Sequence, residues 1–268
     1  MNLALAQMAV EPGAVEANLD RALARVASAA ADGADLVALP EVFDVGYFAF
    51  DSYDRVAQGL DGERLAHVAA AADEHDVAVL AGSVVEDLAA SREAGFETPV
   101  PEGLANTSVL FDSSGTRRAV YRKRHLFGYG SAESELLVPG ESTATAEVGD
   151  HVVGVTTCYD LRFPEQYRRL VDAGVTLVLV PSAWPYPRVE HWRLLPRARA
   201  VENLTYVAAV NGVGAFEDAE LLGRSAVYDP WGATLASAGD HPATITADVD
   251  RERVDAVRDE FPALEDRR

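Results

Sequence analysis

Residues 152–170 read VVGVTTCYDLRFPEQYRRL. The first seven are apolar or β-branched and predict a strand. Pro164 predicts the start of a helix over 164–173, because proline is tolerated at a first helical position. A strand that runs into a helix is one unit of an alternating α/β chain. The alternation continues upstream. LALAQMAV (3–10) reads as a first strand, and 14–31 as a helix with Leu19, Leu23 and Val26 on its apolar stripe. DLVALP (35–40) is a buried strand, 60–74 a second helix and VAVLAGSVV (77–85) the next strand. Residues 91–104 are polar, contain proline and glycine, and predict a loop. ANTSVLFD and TRRAVYRK flank SSG and predict a hairpin over 105–123; 125–141 looks irregular. Downstream, TLVLVP (176–181) is a buried strand, 189–203 a helix and TYVAAVN (205–211) a strand. SAVYDPWGATLAS (225–237) predicts a hairpin that turns at Asp-Pro-Trp-Gly. ATITADVD (243–250) is a last strand before a short helical tail. The expectation is one domain over 1–268, with helices on both outer faces of β layers.

Composition narrows the functions. Hydrophobic residues make up 49% and charged residues 25%, as in ordinary globular proteins. The N-terminal MNLALAQMAV has no basic flank and reads as a strand rather than a leader. The longest apolar run, VTLVLV (175–180), is too short to span a membrane. A net charge of −20, from 43 acidic against 23 basic residues, argues against nucleic acid as a partner. Of those basic residues only Lys123 is a lysine. An acidic, lysine-poor surface predicts a cytoplasmic protein of a salty host, where salt screens the self-repulsion. The expected result is an unfolding midpoint that rises with added KCl.

Three reactive side chains fall at strand ends, where α/β folds gather functional groups: Glu41 after DLVALP, Lys123 after RRAVYR and Cys158 after VVGVTT. One cysteine makes neither an internal disulfide nor a cysteine-based metal site. At a strand-to-helix junction a helix N-terminus favours thiolate, which marks Cys158 as a nucleophile. A lone lysine in an arginine-using chain marks a place where a compact ammonium fits and a planar guanidinium does not. Taken singly, each residue also has a plain reading: a packed thiol, a loop carboxylate and a surface cation. The six histidines form no HxxxH-type pair, so no zinc site is expected, and GVG (212–214) lacks the third glycine of a dinucleotide loop. A Cys–His dyad with His125 or His191 is the rival arrangement.

LPEVFDVGY around Glu41, YRKRHLF around Lys123 and CYDLRFPE at Cys158 resemble the three signatures of the nitrilase superfamily, the carbon–nitrogen hydrolases. HWRLLPRARAVEN (191–203), the strand ending at Asn211 and GRSAVYDPWG (223–232) extend the resemblance over nearly the whole chain, nearest to the branch of small amidases that includes ω-amidase-like enzymes. It implies a four-layer αββα sandwich, paired subunits, and a Glu41–Lys123–Cys158 triad that needs no metal or organic cofactor. It also implies a second glutamate, which the spacing to Gly140 in relatives puts at Glu133, with Glu135 as the alternative. Pro196 departs from the helix motif and predicts a kink.

With those residues, Glu41 takes the proton of Cys158, the thiolate attacks an amide carbonyl, and Lys123 with the backbone N–H of Tyr159 stabilises the oxyanion. Tyr47, Phe48, Trp184, Tyr186 and Arg188 are candidates for the substrate pocket: an apolar wall with one arginine suits a small acyl group that ends in a carboxylate. Asp160, Arg162 and Glu165 are expected to brace the cysteine turn by ion pairing. Hydrolysis of N-carbamoyl compounds on the same triad, and a non-catalytic binding protein on the same fold, are the competing functions.

Overall fold

Strand β1 (Asn2–Gln7) sends Leu3 and Leu5 to one side and Ala4 and Ala6 to the other, all fully buried. A strand covered on both faces must lie inside a stack of layers. The computed structural model, which describes residues 1–217 and 219–267, shows that stack. From β1 the chain passes through α1 (Val15–Ala31) to β2 (Leu36–Ala38), then through the short α2 (Tyr53–Val56) and α3 (Glu63–Glu74) to β3 (Ala78–Asp87). These three strands are parallel. After α4 (Leu88–Glu93), β4 (Leu104–Phe111) and β5 (Arg117–Arg122) add antiparallel, and α5 (Glu133–Leu136) is a single turn.

The second sheet repeats the plan. β6 (Ala144–Val148) and β7 (His151–Val155) are antiparallel; α6 (Pro164–Asp172) leads to β8 (Leu177–Ser182) and α7 (Val189–Asn203) to β9 (Tyr206–Asn211), with β7, β8 and β9 parallel. A small hairpin, β10 (Val213–Phe216) and β11 (Ala219–Leu222), precedes β12 (Ala226–Tyr228) and β13 (Thr234–Ser237). β14 (Ala243–Asp248) returns to β1, and α8 (Arg251–Glu260) follows. The strand orders are β14-β1-β2-β3-β4-β5 and β13-β12-β9-β8-β7-β6.

Three apolar layers separate four structural ones. Leu3, Leu5, Leu36 and Leu80 meet Val153, Val155, Leu177 and Leu179 between the sheets. Ala4, Ala6, Val37 and Val79 pack against Leu19, Val26, Leu65 and Val68 of α1 and α3. Val178, Val180 and Val207 pack against Tyr167, Leu170 and Trp192 of α6 and α7. This is the expected αββα sandwich. Among the described residues no helix is long and apolar enough to cross a membrane.

The structure corrects several local expectations. The loop expected over 91–104 begins inside α4, because Asp87 caps that helix by accepting from Ala89 N (2.9 Å) and Ala90 N (3.1 Å). Capping outweighs the weak propensity of the sequence that follows. β6, β10 and β11 have no counterpart in the sequence reading; they are short, and β6 and β10 are half-exposed, so their apolar signal is faint. α7 runs unbroken from Val189 to Asn203 with Pro196 inside it.

Candidate active site

The turns after β2, β5 and β7 meet at one end of the sandwich. β2 stops at Ala38, and the chain reaches Glu41 by crossing against the middle of β3, with Leu39 N donating to Leu80 O (3.0 Å) and Phe43 N to Ser83 O (3.3 Å). Gly82 permits this crossing: a Cβ there would lie 1.8 Å from the carbonyl oxygen of Leu39. Val42, next to Glu41, is forced to φ 44° and is held there by a hydrogen bond from its N–H to Ser83 Oγ (2.8 Å). A β-branched residue in that region is strained by about 1–3 kcal/mol. Cys158 also takes a left-handed conformation, at φ 47°. It lies three residues beyond the end of β7 and opens a 3₁₀ turn, Cys158–Arg162, so it does not close the strand as expected.

Lys123 follows β5 and is 1% exposed. Its Nζ donates to Glu41 Oε1 (2.8 Å) and to Glu133 Oε1 (2.8 Å) and Oε2 (3.0 Å). Glu133 is fully buried in α5, whereas Glu135 is exposed. Gly140 closes the loop over Lys123, its N–H donating to Lys123 O (2.9 Å); a Cβ there would lie 2.1 Å from Arg122 O. Glu133 also accepts from Tyr47 Oη (3.0 Å) and Phe127 N (2.6 Å). Glu41 Oε2 accepts from Ala183 N (2.8 Å), and the Cys158 thiol lies near enough to the Glu41 carboxylate for each to shift the other's pKa.

Burial dominates the electrostatics. It raises Glu41 above the ordinary glutamate range, against the pull of Lys123. Burial works against the ammonium of Lys123, but Glu133 and Glu41 outweigh it and hold Lys123 well above the usual lysine value. Burial, followed by the charge of Glu41, pushes the Cys158 thiol well above its ordinary value. The helix-end thiolate expected from sequence is therefore not the resting form. The site holds a neutral thiol beside the carboxyl group of Glu41.

The cysteine turn is braced by hydrogen bonds rather than by the expected ion pairs. Asp160 is fully buried and accepts from Thr157 N (2.8 Å), Tyr121 Oη (2.5 Å) and His125 N (3.2 Å), with His125 Nδ1 2.6 Å away. The His125 ring stacks on Phe163, with centroids 3.7 Å apart. His191 faces Arg162 (3.0 Å). Both histidines of the rival dyad are thus turned to partners other than Cys158. Arg162, expected in the brace, instead lies over the rings of Tyr159 and Trp184.

Cys158 and Tyr159 stand at the wall of a small cavity of about 30 Å³ that opens to the surface, bounded also by Tyr47, Phe48, Phe127, Arg162, Ala183, Trp184, Pro185 and Arg188. Arg188 lies over Phe127, 5.3 Å from its centroid. Tyr186, expected here, is not part of the wall; its hydroxyl donates to Asp240 (3.0 Å), which Arg224 also holds. Asn211 fixes the loop that carries Ala183 and Trp184: its Oδ1 accepts from Trp184 N (2.7 Å), and its Nδ2 donates to Trp184 O (3.1 Å) and Gly223 O (2.9 Å). The sequence reading missed the place of Arg162 in the cavity wall, and Phe127, the Ala183 N–H and Asn106, which donates to both glutamates. A signal for Asn106 was present, in the polar run Asn106–Ser108 within an otherwise apolar strand.

Known proteins resemble this chain along almost its full length. The family model described as carbon-nitrogen hydrolase matches residues 2–259. A 2-oxoglutaramate amidase of Paenarthrobacter nicotinovorans is 36% identical over 241 residues, which cover 88% of this chain and 79% of the relative. An omega-amidase of Xenopus tropicalis is 34% identical, over 99% of this chain and 94% of the relative. Among solved structures, the amidase of Nesterenkonia sp. AN1, in a form showing Michael addition of acrylamide at the active-site cysteine, superposes with a TM-score of 0.82 at 28% identity, covering 99% of each chain. With the αββα sandwich already in place, the match along almost the full length shows that this chain belongs to the carbon–nitrogen hydrolase family.

Proposed function

We propose that the protein is an amidase that hydrolyses the ω-amide of a small carboxylic acid to carboxylate and ammonia through a thioester on Cys158. One observation carries the reading. Lys123 Nζ is held between Glu41 and Glu133 at 2.8 Å from each, and the thiol of Cys158 faces Glu41 at the cavity wall.

Amides are weak electrophiles, and ammonia leaves only when its nitrogen is protonated. Glu41 Oε1 is held by the Lys123 ammonium, whereas Oε2 accepts only the backbone N–H of Ala183 and keeps a second lone pair, so Oε2 is the oxygen that takes the thiol proton. Sulfur adds to the carbonyl carbon, and the negative charge moves to oxygen. Lys123 has three N–H bonds: one serves Glu41, one bridges the two oxygens of Glu133, and the third is left for the oxyanion. The N–H of Tyr159, in the first turn after Cys158, is the second donor. A preorganised donor of this kind contributes about 3–4 kcal/mol. Glu41 passes the proton to the leaving nitrogen, the C–N bond breaks and ammonia departs. Water then attacks the thioester with Glu41 again as base, giving the carboxylic acid and the free thiol.

The substrate class follows from the cavity mouth. Its two charged side chains, Arg162 and Arg188, are both cationic, in a protein of net charge −20. They suit a carboxylate at the far end of a short acyl chain, in line with relatives named for 2-oxoglutaramate and omega-amides. Arg188→Ala is expected to raise KM about 10–100-fold for carboxylate-bearing amides, the worth of one charged hydrogen bond, and to leave neutral amides within twofold. Equal losses on both classes would remove the anion subsite. By the same reading the protein is cytoplasmic and at least a homodimer.

The direct test is ammonia release in multimolar KCl from ω-amides of dicarboxylic acids, neutral aliphatic amides and N-carbamoyl amines. Release from the first class is expected. Release from N-carbamoyl amines alone would reassign the substrate. Silence throughout, with a thiol inert to iodoacetamide, would favour a binding protein.

A further inference from the structure

Asn106 has no part in the steps above, yet it touches both glutamates. It lies on β4 and is 1% exposed. Its amide nitrogen donates to Glu41 Oε1 (2.9 Å) and to Glu133 Oε1 (3.1 Å). Lys123 Nζ donates to the same two oxygens. Both Oε1 atoms are therefore bridged twice, once by an ammonium and once by a neutral amide. The backbone oxygen of Asn106 also accepts from Lys123 N (2.8 Å), so the same residue fixes the main chain of the lysine. The amide oxygen, Oδ1, is buried and has no hydrogen-bond partner among the described residues. A residue serving only to fill space would not carry that unmet polar atom, because leucine fills a similar volume without it.

Building on the hydrolytic reading, we propose that Asn106 is a positioning residue of this site, which gives one amide hydrogen to each glutamate and so fixes Glu41 with Oε1 turned to the lysine and Oε2 turned to the thiol. A second cation in its place would hold Glu41 so firmly ionised that it would be a poor base. A carboxylate there would crowd a third negative charge into the site. A neutral double donor orients both carboxylates and avoids both faults. The groups that face Glu41 are Lys123 from the end of β5, Glu133 from α5, Cys158 from the 3₁₀ turn and the phenols of Tyr47 and Tyr53.

The test is the pH profile of kcat/KM for Asn106→Ala and Asn106→Asp, with KM and melting curves, beside Glu41→Gln and Cys158→Ala. An N–H donor favours the charged carboxylate, so its loss raises the pKa of Glu41 and widens the acid range in which the base is protonated. In Asn106→Ala the acid limb is expected to move up by about one pH unit, with plateau kcat at least tenfold lower and KM within twofold. In Asn106→Asp the limb moves further the same way. Aspartate fills the space of asparagine, so it reports the sign even where the alanine variant does not fold. Limbs at the wild-type pH, with losses that match the unfolded fraction or appear in KM, would overturn the proposal. An active Glu41→Gln would overturn the hydrolytic reading itself. An inactive Glu41→Gln and Cys158→Ala beside wild-type limbs would remove only the role given to Asn106.

Discussion

Cys158→Ala is expected to lower ammonia release by about 10⁴-fold or more while leaving the melting temperature nearly unchanged. The size follows from what the thiol does: without it no acyl-enzyme forms, and water must attack an amide that only the oxyanion donors activate. The small effect on stability follows from position. Cys158 stands at the cavity wall and packs at the edge of the layer between the second sheet and its helices, so its loss opens onto that cavity and leaves no closed void. Glu41→Gln should be nearly as severe, because the resting thiol is neutral and needs the carboxylate to take its proton. His125→Ala and His191→Ala should be mild by comparison. The opposite order, with a histidine variant as inactive as Cys158→Ala and Glu41→Gln active, would replace the triad with a Cys–His dyad. Alkylation gives an independent check. With one cysteine per chain, one label should accompany complete inactivation.

The layers were legible in the sequence because the inner strands, such as β2, β8 and β9, are buried on both faces. Runs such as TLVLVP carry no polar alternation, and only an inner strand can satisfy them. The three strand-end residues were legible for a related reason: a carboxylate, a lone lysine and a lone cysteine each followed a segment that reads as a strand. Of the partners that hold them, Glu133 was reached through the resemblance, whereas the two asparagines were not assigned. Asn106 and Asn211 sit inside strands, and their roles depend on which loops the fold brings over them. Arg162 illustrates the limit. It follows Cys158 by four residues, and local reasoning made it a brace for Asp160. The 3₁₀ turn rotates it away, over Tyr159 and Trp184, while Asp160 is filled by donors from β5, its own turn and the segment after Lys123. Tyr186 was misjudged in the opposite direction, because its neighbour Trp184 turns inward and Asp240 lies within its reach outside the cavity.

Lys123→Met is expected to abolish activity and also to destabilise the fold, which sets it apart from Cys158→Ala. The wild-type core holds two carboxylates and one ammonium, all at most 2% exposed. Removing the ammonium leaves Glu41 and Glu133 buried side by side without a counter-charge. Breaking a buried pair by deleting one partner costs about 3–5 kcal/mol, which for a domain of this size lowers the melting temperature by on the order of 10 °C. The penalty should depend on pH with a definite sign. Burial already raises Glu41, and the loss of Lys123 raises it further above its unfolded value. The folded variant then binds more protons than the unfolded chain, so its stability falls as pH rises through the unfolded glutamate range toward the raised folded value. Relative to wild type, Lys123→Met should therefore recover stability on acidification and lose most near neutrality. Adding Glu133→Gln removes one of the two stranded charges and should restore part of the melting temperature without restoring ammonia release. A Lys123→Met protein that melts like wild type at neutral pH would mean that the two glutamates share a proton there. The charged Glu41–Lys123–Glu133 arrangement on which the hydrolytic steps depend would then have to be redrawn.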